Sequence, residues 1–384
     1  MKKYFVLILM FLALILPVRA QEFQAWVKGL EGRGIKVSAG IWELGSGGLP
    51  GKLLEGYQTN LGLIPASTTK VISTYAILRS MKPNTVVETD LWGTLAGDTV
   101  TGDLVLKGAG DPFLTSERLW LMAKELKGRG IVRVLGRIRL DQSAFDTQRY
   151  GTGWENTTAS TTPPILPLSV NFNRDDKGQI LRDPEPLAVE TITRIFRETG
   201  LQILGQPSNG GEMTKLLAFP SPPLRTLVQE INKYSNNFMI EMLVKRLGDG
   251  SWAKGIQRIQ IFYKDFLDLD ANQIFITDGS GLSKENRLSA RTLVTVLRSA
   301  WNDFEVGPEF VASLKIIGGE PWELSVKDPN LARRIRCKTG HLAGVNSVCG
   351  YLQTLDGKLK VFAIILNGNA QNEDVWSMVS HWAN

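Results

Sequence analysis

Pro65-Ala66-Ser67-Thr68-Thr69-Lys70 runs without a break into Val71-Ile72-Ser73-Thr74-Tyr75-Ala76-Ile77-Leu78, an apolar stretch with helical spacing. Ser67 and Lys70 stand three apart at the head of that helix, so their side chains face the same way, and Pro65 fixes the entry. An amine so placed takes a proton from a hydroxyl. An ammonium is useless for that task, so Lys70 must be neutral for part of a reaction cycle, through desolvation, the positive helix end and a second cation nearby. The spacing alone is weak, because Ser251-Trp252-Ala253-Lys254 repeats it.

Upstream, Lys36 to Leu44 alternates like a strand, so a strand precedes the helix. Downstream, from about Val86 to Asp146, the chain is turn-rich and strand-like, with one helix over Glu117 to Lys127 and an alternating strand over Ile131 to Leu140. A Thr/Pro/Asn-rich stretch from Gly151 to Pro167 and a helix near Leu187 to Thr199 follow. Pro220-Ser221-Pro222-Pro223 marks a boundary, beyond which Leu224 to Lys233 and Phe238 to Leu247 carry helical spacing on either side of Tyr234-Ser235-Asn236-Asn237. Helices are expected at Ala253 to Phe266, Ser289 to Trp301 and Asp374 to Trp382. Ala332 to Thr339, Asn346 to Leu355 and Lys358 to Leu366 read as consecutive antiparallel strands.

The chain of 384 residues has 44 basic and 38 acidic side chains, with 43% hydrophobic residues, an ordinary globular balance that excludes disordered and fibrous classes. Lys2 and Lys3, an apolar run from Tyr4 to Leu16, and Val18-Arg19-Ala20 have the shape of a secretory signal, so residues 1–20 are expected to be cleaved and the protein exported to the periplasm or cell envelope. Retained instead, the segment would associate the protein with the membrane. Cleavage would remove three cations and no acid, lowering the formal charge from +6 to +3. With no basic cluster interleaved with aromatics, nucleic acid is excluded as a partner. Cys337 and Cys349 are spaced to suit a disulfide between neighbouring strands, or equally two small buried thiols. With only His341 and His381 beside them, no metal or other cofactor is expected.

Lys338-Thr339-Gly340 closes a strand, where a cation and a hydroxyl suit a carboxylate and the glycine lets a ligand lie along the backbone. Ser235-Asn236-Asn237 offers a hydroxyl and an amide between two helices, although Ser169-Val170-Asn171 shows how common that match is. The order Ser-x-x-Lys, Ser-x-Asn, Lys-Thr-Gly in an exported chain resembles the penicillin-binding and serine β-lactamase superfamily. With Lys107-Gly108-Ala109-Gly110-Asp111-Pro112-Phe113-Leu114-Thr115 and Asp278-Gly279-Ser280-Gly281-Leu282-Ser283, the resemblance sharpens. It is to the D-alanyl-D-alanine carboxypeptidase/endopeptidase family, the class C low-molecular-mass penicillin-binding proteins, and covers nearly the whole mature chain.

That resemblance implies a penicillin-binding protein/serine β-lactamase-like transpeptidase fold, α/β with an all-α subdomain. Residues 21–85 and 220–384 form a discontinuous catalytic domain, and 86–219 an inserted α+β domain. The 164 residues between Lys70 and Ser235 suit one insertion rather than the two of longer members. It implies that Ser67 attacks the carbonyl of a terminal D-alanine bond in a peptidoglycan stem peptide and Lys70 accepts the proton. The backbone N–H groups of Ser67 and His341 hold the oxyanion, Ser235 protonates the leaving amine and Asn237 orients the substrate amide. Lys338 keeps Lys70 neutral and, with Thr339 beside Gly340, grips the carboxylate. β-Lactam antibiotics would be covalent inhibitors. The rival readings are a β-lactamase and a peptidoglycan-binding protein with a decayed site. His341, Lys284 and Ala343 depart from the residues usual in the family. A Ser-His-Asp triad through His341 is a further alternative, and Asp141 with Lys284 is expected to read the third stem residue.

Overall fold

The computed structural model describes residues 21–45, 51–154, 162–206, 211–319 and 329–384. The leader expected at 1–20 lies outside them. No helix among the described residues is long and apolar enough to cross a membrane.

The described chain divides into two compact units, the first running to Ile72 and including Leu267–Ile276 and Lys284–Asn384. Its centre is a six-stranded antiparallel sheet in the order Lys315–Ile316, Ile335–Leu342, Val345–Gln353, Leu359–Asn367, Lys36–Glu43, Leu53–Tyr57. One face buries Val37, Ala39 and Ile41 with Ile335, Cys337, Val348, Phe362 and Ile364. Two helices supply the rest of that layer: Phe23, Val27 and Leu30 come from residues 21–32, and Val375, Met378, Val379 and Trp382 from Asn372–Ala383. Each buried aliphatic side chain contributes roughly 1.5–3 kcal/mol. On the other face the helix Ala290–Asn302 packs, its start capped by Ser289 Oγ accepting from Thr292 N at 3.1 Å. Tyr351 reaches from the sheet to donate to the Leu297 carbonyl at 2.6 Å.

The second unit comprises Ser73–Phe266 with Thr277–Ser283, the chain entering it within the helix Thr69–Met81. Thr69 through Leu78 are all buried, so over this stretch the helix turns no face to solvent, and even Lys70, Ser73 and Thr74 are enclosed. Two four-stranded sheets and the helices Ser116–Gly128 and Glu185–Glu198 follow, sharing one apolar cluster that includes Leu91, Leu104, Met122, Ile138, Ile192, Phe196 and Leu217. Thr214–Pro220 returns to pair with Glu88–Gly93. Beyond the Pro-rich boundary come the helices Leu224–Tyr234, Asn237–Leu247 and Trp252–Leu267. The α/β class with a helical part and inserted α+β sequence is the fold expected from the motifs.

Two expectations change. The single strand over Ile131 to Leu140 is two, Arg133–Val134 and Ile138–Asp141, which belong to different sheets. Gly136 turns the chain between them where a Cβ would lie 2.4 Å from Asp103 Oδ1, while that oxygen accepts from Arg137 N at 2.8 Å. The helix at 21–32 and the strand Leu53–Tyr57 add to the expected elements. Of the two readings of the cysteines, the buried thiols hold: Cys337 and Cys349 are buried and not joined by a disulfide. Cys337 is registered opposite Gly350 and Cys349 opposite Lys338, so a one-residue offset puts the sulfurs on opposite faces of the sheet.

Candidate active site

Ser67 sits in a single 3-10 turn, Ala66–Thr68, directly before the helix that begins at Thr69. Lys70 Nζ donates to Ser67 Oγ at 3.1 Å, and Lys70 is fully buried while Ser67 is half-buried. The same contact run in reverse, hydroxyl to neutral amine, is the geometry by which an amine can activate a serine. The repeat of the spacing lacks this setting, since Lys254 is exposed. Ala66 holds φ at 49°, a left-handed conformation strained for any residue with a Cβ, immediately before the candidate nucleophile.

That turn is pinned from several sides. Ser347 Oγ donates to the Pro65 carbonyl at 2.6 Å, and Thr68 Oγ1 donates to the same carbonyl at 2.7 Å. Asn367 brackets the residue before, accepting from Ile64 N at 2.9 Å and donating to Ile64 O at 3.0 Å. Ser347, on Val345–Gln353, is registered opposite Gly340 of the Lys-Thr-Gly strand. A Cβ on Gly340 would lie 2.4 Å from Ser347 Oγ, 2.8 Å from Ser67 N and 2.9 Å from Pro65 O. Glycine there is a packing requirement that lets the strand lie against the nucleophile turn.

Along the same strand Lys338 is 1% exposed and donates to the Thr339 carbonyl at 2.9 Å. Burial pushes its ammonium down to about 8, with Lys315 adding to the fall. Thr339 is exposed. His341 is exposed too, and its Nδ1 lies 2.8 Å from Asn346 Oδ1, while Asn346 Nδ2 donates to the Ala370 carbonyl at 2.6 Å. Because the amide presents its oxygen, Nδ1 carries the proton. The imidazole is oriented by an amide rather than by the carboxylate that a Ser-His-Asp triad requires.

Ser67, Lys70, Lys338, Thr339, Gly340 and His341 thus come together in the first unit, which also holds Lys284, whose carbonyl accepts from Arg287 Nη1 at 2.6 Å. Ser235, Asn237 and Asp141 belong to the second. Ser235 closes the helix Leu224–Tyr234 in the left-handed conformation, φ 56°, and Asn236 caps the next helix by accepting from Met239 N at 3.0 Å. Asn237 opens that helix. The competing match at 169–171 has structural work: Asn171 Oδ1 accepts from Ser116 N and its Nδ2 donates to Ser116 Oγ, both at 2.9 Å. Asp141 Oδ1 accepts from Ser143 N at 2.9 Å, capping its own turn, and hydrogen bonding from Ser143 holds its carboxyl pKa below the usual carboxylate range.

Sequence reasoning missed Ser347, Asn346 and Asn367. Each acts on a partner distant in sequence or on a bare backbone group, so no local pattern announces it.

The family model of the D-Ala-D-Ala carboxypeptidase 3 (S13) family matches residues 49–181 and 168–383. The D-alanyl-D-alanine carboxypeptidase DacB of Haemophilus influenzae is 23% identical over 403 residues, covering 83% of each chain. In structure the chain resembles penicillin-binding protein 4 of the same organism, solved with a β-lactam, at TM-score 0.71 and 19% identity, over 91% of this chain and 97% of that one. It also resembles a predatory endopeptidase of Bdellovibrio bacteriovorus solved with an immunity protein, at TM-score 0.64 and 17% identity, over 90% and 92% of the two chains.

Proposed function

The chain belongs to the D-Ala-D-Ala carboxypeptidase 3 (S13) family, and from that premise we propose that it is a serine D-alanyl-D-alanine carboxypeptidase/endopeptidase that acts on peptidoglycan stem peptides and is acylated by penicillins. The observation that carries the reading is the 3.1 Å contact between a half-buried Ser67 and a fully buried Lys70, beside a strand whose Gly340 leaves no room for a Cβ against Ser67 N.

Ser67 Oγ attacks the carbonyl carbon of the bond to the terminal D-alanine as its proton passes to Lys70. The developing oxyanion is held by the N–H groups of Ser67 and His341. Ser235 relays to the leaving nitrogen the proton that Lys70 took up, the C–N bond breaks, Lys70 is neutral again, and an ester to Ser67 remains. Water then attacks that ester and Ser67 regains its proton. Asn237 orients the substrate amide, and Lys338 with Thr339 holds the terminal carboxylate. When the leaving amine belongs to a neighbouring stem, the same steps cut a cross-link. Mass spectrometry after penicillin tests the reading: a lasting adduct on Ser67 supports it, rapid turnover marks a β-lactamase, and no adduct marks a decayed site.

Export by the 1–20 leader to the periplasm or cell envelope fits this substrate, as does division into a catalytic domain of 21–85 and 220–384 with 86–219 inserted. Asp141 and Lys284 are proposed to read the zwitterionic head of a diamino acid at the third stem position, opposite charges meeting opposite charges. Hydrolysis of diaminopimelate and lysine peptides by Asp141→Ala and Lys284→Ala checks this, and an unchanged preference in both discards it.

A further inference from the structure

Glu241 is a fully buried carboxylate one turn below Asn237, on the same face of the helix Asn237–Leu247. It accepts from Ser280 N at 2.7 Å, from Gly279 N at 3.1 Å and from the Trp252 indole N–H at 2.8 Å. The loop it holds is itself built around a second buried carboxylate, Asp278. That group accepts from Gly281 N at 2.9 Å, Ser283 N at 2.7 Å and the Trp154 indole N–H at 2.8 Å. From the same loop the Gly279 carbonyl accepts from Ser73 Oγ at 2.6 Å. Ser73 lies three residues after Lys70 on one helix.

We propose that Glu241 is a positioning residue for acylation, its ionised carboxylate locking the 278–283 loop and, through the Gly279 carbonyl, the helix that carries Lys70 to the helix that opens with Asn237. The inference rests on the serine acyl-enzyme reading above. The three partners described for Glu241 are N–H donors, so the carboxylate form fits them and the acid form replaces an acceptor with a donor. Burial, followed by the charge of Asp278, raises the Glu241 carboxyl to about 7. The other charged groups packed nearby are Lys245, one turn further along the same helix with its Nζ 4.5 Å above the Trp252 ring, and Asp146, which accepts from Lys245 at 2.6 Å.

The test is the acylation rate with a fluorescent penicillin from pH 5 to 9 in wild type, Glu241→Gln, Glu241→Asp and Trp252→Phe, each with a thermal melt. The wild-type rate should fall as pH drops through the neutral range. Glu241→Gln should be slower by roughly tenfold to a hundredfold and flat across that range, and Glu241→Asp should be slowed but keep the fall. Trp252→Phe removes one donor from the carboxylate, so its fall should move to higher pH; this arm decides if Glu241→Gln does not fold. A rate in Glu241→Gln equal to wild type, or slowing with an unchanged pH profile in every variant, overturns the proposal alone. A wild type that takes no label on Ser67 overturns the acyl-enzyme reading and this proposal with it.

Discussion

Lys70 and Lys254 occupy the same place in two identical Ser-x-x-Lys spacings, and burial separates them: one is sealed beside its serine, the other solvated. Ser67→Ala should therefore abolish penicillin labelling and reduce peptide hydrolysis on the order of a thousandfold or more. Residual label mapped to Ser251 by peptide mass spectrometry would refute the assignment. Lys338 gives a pH signature. A cation grips a carboxylate only while protonated, so with its ammonium lowered to about 8, kcat/KM should fall as pH rises through that value. Lys338→Arg stays charged and should move the fall upward, whereas Lys338→Ala should lower both affinity and the acylation rate constant. The sign for stability is opposite. The unfolded chain holds this proton up to about 10.4, so between the two values unfolding takes up a proton and stability rises with pH. Ser67, Lys70 and Lys338 were legible because their chemistry lies in local spacing; Ser347 was not, because its partner Pro65 is 282 residues away.

Among the elements, the strand Ile335–Leu342 approaches the nucleophile turn only because one Cβ is missing. Gly340→Ala should push the strand from Ser67, costing about 1–3 kcal/mol of stability and slowing acylation; a melting curve and a labelling time course read the two separately. Ser347→Ala removes the donor to the Pro65 carbonyl and should cost about 1 kcal/mol, with a smaller loss of rate. Long periodic elements were legible in the sequence: the three consecutive strands and the helices after the Pro-rich boundary stand within a few residues of their expected places. The failures are local and physical. Alternation over Ile131 to Leu140 is real, but Gly136 turns the chain midway, and periodicity does not register a bend between two short strands. Phe23, Val27 and Leu30 carry helical spacing that went unread beside a leader.

Across the whole molecule, the offset register of Cys337 and Cys349 makes redox state irrelevant to the fold. The melting temperature should be unchanged by reductant, and iodoacetamide should modify both thiols only after denaturation; burial pushes the pKa of the Cys349 thiol well up, so it stays protonated. A reductant-induced drop in melting temperature would contradict the assigned faces. The sheet order carries a different lesson. Lys36–Glu43 pairs along its whole length with Leu359–Asn367, so Lys36 meets Asn367 across nearly the entire chain. Pairing so remote in sequence forms late and slowly. While the chain is being made, its early strand has to wait unpaired on that side until the remote partner has been synthesised. The nucleophile turn waits as well, because Asn367, which brackets Ile64, stands at the end of that same strand. Activity should thereby depend on completion of synthesis, since a chain stalled before Leu359 lacks the strand that joins Lys36–Glu43 to Val345–Gln353.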